Sequence, residues 1–245
     1  MRKILILLLF SCFCFSEEII LDREIPEKKI EELEKIKEET KDPEILKKIY
    51  PVLIEKYDKQ AEYGKKHRSM KEYAEILYPE KEKQAEYLKN EADKLREQGE
   101  IGETIMIYNT IKKNYSLPII PEVLITLGDI WEKDLDYSKA LEEYITGLNA
   151  GLEKKDKEEI LFRLGRAYMK LGKNKEAVEI FEKFLIEYPG SLYQEEVMFD
   201  VGRTYYNKGE KNQAEEKFNQ YLEKYPNGKY AGMAKFLLKF LNEGR

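Results

Sequence analysis

Apolar and small residues in the C-terminal half of the chain recur with helical spacing. Leu161, Leu164, Gly165 and Tyr168 stand at i, i+3, i+4 and i+7, and Ala177, Phe181, Phe184 and Tyr188 stand at i, i+4, i+7 and i+11. Each set marks one face of an α-helix, with charged residues filling the positions between. Gly172, between the sets, suits a left-handed residue just past a helix end. Pro189 stops the second helix, because its ring clashes with the turn before it. The unit is therefore an antiparallel helical hairpin. Gly165 and Ala177 are small where the two helices approach most closely, and Tyr168 and Phe181 fill the space beside that contact.

The hairpin is repeated. Gly165, Tyr168, Gly172, Ala177, Phe181 and Pro189 return as Gly202, Tyr205, Gly209, Ala214, Phe218 and Pro226, each 37 positions on. One step back, Gly128, Trp131, Ala140 and Tyr144 share the register, with Trp131 in the aromatic packing slot. Leu88, Ala92, Leu95, Gly99, Thr104, Tyr108 and Ile111 mark a degenerate earlier copy. A unit this small cannot bury its own apolar faces, so copies have to stack. The predicted repeats are 85–118, 121–154, 158–191 and 195–228, the second having Leu135 in place of the turn glycine. Ala234, Leu237, Leu238 and Leu241 lie on one stripe of a closing helix within 229–245. The N-terminal region 17–84 reads as helical too. Ile30 and Leu33 mark one helix of a further degenerate hairpin, and Leu46, Tyr50, Leu53 and Tyr57 the next. That second helix starts at Asp42-Pro43 and is expected to kink or break at Pro51. Residues 59–79 predict a helix with no clear place in the period. The predicted fold class is all-α.

The hairpin resembles the tetratricopeptide repeat, whose signature is carried here by Leu161, Leu164-Gly165, Tyr168, Ala177, Phe181 and Pro189. The family's period is about 34 residues. The three extra residues fall after the second helix, in Gly190-Ser-Leu-Tyr-Gln194. The phrase Tyr188-Pro-Gly-Ser-Leu-Tyr193, echoed by Tyr225-Pro-Asn-Gly-Lys-Tyr230, is similar to the repeats of two bacterial envelope families. These are the Tol-Pal-associated periplasmic cell-division coordinator and the lipoprotein of the outer-membrane barrel assembly machinery. Ile30, Leu33 and Ile36 do not sustain the heptads of the N-terminal coiled coil that the first family often carries, so its trimerisation is not carried over. The resemblance covers roughly residues 85–243 and implies a right-handed solenoid whose inner surface is lined by the first helix of each hairpin. By offset, the groove residues would be Ile125, Asp129, Phe162, Arg166, Met169, Phe199, Arg203 and Tyr206. Arg166 and Arg203, flanked by apolar side chains, would suit an extended or helical peptide carrying acidic groups. The competing expectation packs Phe162 and Phe199 between repeats and pairs the arginines with Glu159, Glu196 or Asp200.

The N-terminus adds a destination. Met1-Arg-Lys3, the apolar run Ile4 to Phe10, and Cys14-Phe-Ser16 before Glu17-Glu18 read as an export signal over residues 1–16. The run is shorter than the ~20 residues of a spanning helix. Cleavage after Ser16 is expected, the alternatives being retention as a tether or a lipid on Cys12, the two routes to membrane association. Cys12 and Cys14 are the only cysteines, so cleavage removes any disulfide, thiolate nucleophile or cysteine metal site. A net charge of −5 without a basic stripe excludes nucleic acid as a partner. No phosphate-cradling glycine loop, His-Glu-x-x-His or nucleophile elbow is present. His67, the single histidine, sits in the run Lys65-Lys66-His67-Arg68 and is expected to be solvated. Carboxylates are too numerous for any pair to stand out. The chain thus reads as a non-enzymatic scaffold or adaptor without cofactor or metal, exported to the periplasm or cell envelope of a bacterium. It would bind a protein or peptide partner in envelope assembly or division. The alternatives are a membrane-anchored outer-membrane assembly lipoprotein and an accessory protein binding cell-wall glycan.

Overall fold

The computed structural model describes residues 24–116, 119–150 and 152–243. The expected export signal, with Cys12 and Cys14, lies outside them. Among the described residues all regular structure is helical. The chain divides into two compact units, with the boundary in sequence between Ile119 and Ile120. The expected row of four hairpins from residue 85 therefore crosses that boundary after its first member.

In the first unit a short 3-10 turn, Ile25–Glu27, precedes α1 (Ile30–Glu39), α2 (Pro43–Lys59), α3 (Tyr63–Leu77), α4 (Lys81–Gln98) and α5 (Ile101–Asn114). The principal pairs are α2 with α3 and α4 with α5. Residues 59–79, which had no place in the period, thus supply the partner of α2. Tyr50 stacks on Tyr73 at 6.0 Å, and its hydroxyl donates to Glu72 at 3.1 Å. The short α1 buries only Leu33, which joins Ile25, Ile49, Leu53 and Tyr57 in one cluster. It is too short to cover the seventeen residues of α2, so the expected α1–α2 hairpin gives way to α2–α3. Asp42 caps α2 as predicted, accepting from the Glu44 amide at 2.9 Å. Pro51 does not interrupt the helix. It lies on the exposed side, where water can satisfy the carbonyl its ring displaces, while Ile49, Tyr50, Leu53 and Tyr57 are held by burial.

The second unit contains α6 (Ile120–Lys133), α7 (Tyr137–Asn149), α8 (Lys154–Lys170), α9 (Asn174–Glu187), α10 (Gln194–Asn207), α11 (Lys211–Lys224) and α12 (Ala231–Glu243). The hairpins are α6–α7, α8–α9 and α10–α11, each second helix also packing on the first helix that follows it. The small residues sit where predicted. A Cβ on Gly202 would lie 2.7 Å from the Phe218 ring, and one on Gly128 or Gly165 would collide in the same way with Tyr144 or Phe181. Every hairpin turn from α4 onward closes alike. Gly99, Leu135, Gly172 and Gly209 have φ of +86°, +60°, +70° and +77°. The next amide in each case donates to the carbonyl five residues back, as Lys173 does to Tyr168 at 2.9 Å and Asp136 to Trp131 at 2.9 Å.

Candidate functional site

The three extra residues of each 37-residue repeat have a visible role. The connector after α9 lays Tyr193 flat on Phe162 of α8, with ring centroids 4.3 Å apart and planes 14° apart. One repeat later, Tyr230 lies on Phe199 of α10 at 4.8 Å and 8°. Phe162 and Phe199 are therefore buried, as is Met169, and they form a floor rather than an accessible surface. This favours the packing expectation for the two phenylalanines. Ile125 is half-buried against the cluster around Tyr144, and Tyr206 against the one around Phe218. Arg166 and Arg203 stand over the floor, their guanidinium carbons 5.4 Å from the Phe162 ring and 5.9 Å from the Phe199 ring.

Ion pairs fix these cations. Arg166 pairs with Glu196 at 3.5 Å, and Arg203 with Asp200 at 2.9 Å. Arg203 also approaches the Met169 sulfur at 3.4 Å. Glu159 is taken instead by Arg163, at 2.7 Å, and Arg163 bridges to Asp129 on α6. Asp129 also accepts from the Tyr144 hydroxyl at 3.5 Å, so it is engaged from two sides. Burial holds the Asp129 carboxyl above the usual range, with Arg163 opposing. Burial pushes Asp200 up to about 6 against the pull of Arg203, and its Oδ2 has no partner among the described residues. The position after each small packing residue follows the aromatic on the second helix. Where that aromatic is a tyrosine, its hydroxyl reaches an aspartate, as Tyr108 does Asp93 and Tyr144 does Asp129. Where it is Phe181 or Phe218, there is no hydroxyl to satisfy, and the position holds Arg166 or Arg203.

Three residues of the same register escaped the sequence reading. Met233, Phe236 and Phe240 on α12 are 54%, 60% and 60% exposed. Phe236 and Phe240 lie one 37-residue step beyond Phe199 and Arg203, so the repeat itself was the signal that could have found them. Ala231, Ala234 and Leu241 form the buried side of the same helix.

In the first unit His67 is buried, which corrects the expectation of a solvated side chain. Its Nε2 lies 3.1 Å from Glu103, which also accepts from Lys66 at 2.7 Å. Burial lowers the His67 pKa, with Glu103 opposing, and Nδ1 has no partner among the described residues. Among the described residues no group of three or more His, Cys, Asp and Glu side chains is disposed to hold a metal, and no helix is long and apolar enough to cross a membrane.

The fold has clear relatives among solved structures. A tetratricopeptide repeat protein from Parabacteroides merdae is 20% identical with a TM-score of 0.55, over 79% of this chain and 73% of that one. YrrB, a tetratricopeptide protein described as having an unusual peptide-binding site, is 16% identical with a TM-score of 0.52, over 84% and 99%. MamA is 19% identical with a TM-score of 0.51, over 62% and 83%. The chain therefore has the tetratricopeptide-repeat fold. Residues 154–242, a little over a third of the chain, are similar in particular to the outer membrane lipoprotein family YfiO, a match running from α8 into α12. No curated protein matches the chain.

Proposed function

We propose that the protein is a non-enzymatic adaptor that holds a protein partner against the first-helix face of its C-terminal hairpins. The observation that carries this is the pair Arg166 and Arg203. They occupy one register a repeat apart, each with more than a third of its side chain exposed and each steadied by a ring and a carboxylate. A guanidinium held in this way keeps further N–H groups for an incoming acidic group, at little cost in side-chain entropy. Phe162, Met169 and Phe199 form the floor of this surface, and Ile125, Asp129 and Tyr206 border it. Crosslinking in envelope fractions should recover a defined partner with the native protein and lose it with Arg166→Glu/Arg203→Glu. Equal recovery by the variant would refute the assignment.

We further propose that the adaptor works in the bacterial cell envelope, in assembly or division. The basic and apolar start of the chain and the likeness of residues 154–242 to an outer membrane lipoprotein family support this. The lipoprotein character of that family favours a second reading, in which the adaptor is anchored through Cys12. Intact-mass analysis separates the two: a chain beginning at Glu17 is free, and a diacylated Cys12 is anchored.

A further inference from the structure

The aromatic floor of the repeats extends one position further than its covers. Phe162 lies under Tyr193 and Phe199 under Tyr230, both rings nearly parallel to the phenylalanine they cover. Phe236 is the next residue in the same register. Its nearest ring is Phe240, at 6.4 Å and tilted by 30°, which leaves Phe236 60% exposed. Gly232, one turn before it, places no side chain beside the ring, and the space there is open. Met233 and Phe240 continue the exposed apolar face at i−3 and i+4.

The flanks of this face decide what can cover it. Lys239 stands where Gly165 and Gly202 stand, the position at which even a Cβ collides with the aromatic of a second helix. Lys235 stands where Leu161 and Met198 face their own second helices. Two exposed lysines on that side disfavour the packing of a further hairpin helix there, while the ring slot stays open. Both lysines are exposed, so the rim of the slot is basic, with Glu243 3.5 Å from Lys239 as the acid beside it. The internal precedent shows the ring contact and a carboxylate beside it: in Tyr193-Gln-Glu-Glu196 the tyrosine ring covers Phe162 while Glu196 reaches Arg166 at 3.5 Å. On α12 Phe240 stands in that arginine's register, so the flanking Lys235 and Lys239 are the cations left to meet a carboxylate.

We infer that the exposed face of α12 docks an acidic segment of a partner protein that lays one aromatic ring on Phe236 and directs carboxylates to Lys235 and Lys239. The inference rests on the adaptor reading and gives it a second contact point. A fluorescent synthetic peptide of residues 186–197, which carries Tyr193, Glu195 and Glu196, serves as the probe in anisotropy titrations of the purified protein. Saturable binding is expected, weakened about tenfold or more by Phe236→Ser. Lys235→Glu/Lys239→Glu should weaken it in the same direction, and a probe with Tyr193→Ala should not bind. Arg166→Glu/Arg203→Glu should leave it unchanged, so the two surfaces fail independently. Absence of saturable binding, or equal binding by Phe236→Ser, overturns the inference while leaving the crosslinking result intact. It is likewise overturned if Phe236→Ser turns a native dimer into a monomer, or if it abolishes binding to anionic lipid vesicles. Those outcomes would assign the face to a second copy or to a membrane.

Discussion

Leu135 carries the clearest local strain. It takes the left-handed backbone that glycine takes in the other turns from α4 onward, at φ +60°, and its side chain is 71% exposed, so no packing compensates. Leu135→Gly should raise stability by about 0.5–1 kcal/mol, the relief of the Cβ clash less the entropy glycine gains in the unfolded chain. Urea denaturation checks this, and an unchanged or lower midpoint would count against it. His67 makes stability depend on pH. Its folded pKa lies below the ordinary 6.5, so its contribution is fully present above that value. As pH falls through 6.5 the unfolded chain takes up a proton that the folded chain resists, and stability declines. Native protein should therefore lose more stability between pH 7.5 and 5.5 than His67→Gln, and equal losses would show that the group is not buried in solution. At this scale the sequence was legible where a residue obeys a backbone rule. The glycine slot was visible even with Leu135 in it. His67 was misread because its partner, Glu103, is 36 residues away and nothing local announces it.

Among the elements, the connectors set the repeat length. Tyr193 and Tyr230 bind each connector to the first helix of the hairpin it leaves, and this ties consecutive hairpins together at a second point besides their packed faces. Tyr230→Ala should cost about 2–3 kcal/mol, through the lost ring contact and the uncovering of Phe199, while Tyr230→Phe should cost well under half of that. Thermal melts of the two variants test the difference. The hairpins were legible because a 3.6-residue period, turn glycines and Tyr-Pro stops all point to the same boundaries. The extra residues were visible as a length, but their purpose was not, because a ring stack leaves no periodic trace. The pairing of α2 with α3 was hidden for the same reason: Tyr50 and Tyr73 meet through tertiary contact alone.

For the whole molecule, the division between Ile119 and Ile120 matters most. Residues 120–245 hold three hairpins and α12, above the three repeats or so that such stacks need for independent stability. Expressed alone, this fragment should be helical by circular dichroism and melt cooperatively. A broad, non-cooperative melt would mean that it depends on the rest of the chain. The boundary was not legible, because the repeat register carries through it, with Ala92, Thr104 and Tyr108 matching Gly128, Ala140 and Tyr144 at a step of 36 instead of 37. The shared register of Arg166 and Arg203 was legible from offset alone, but the sequence pattern marked only the inner stripe of α12 and not its outer aromatic residues. The stacked connectors have one consequence for how such a chain can grow. Residues 194–230 start just after one roofing tyrosine and finish with the next, so the segment is a complete cassette. Tandem duplication of those 37 codons would create one new junction, Tyr230 to Gln194, which repeats the Tyr193-Gln194 step, and bring the new phenylalanine its own roof, lengthening the array without rewriting a neighbour.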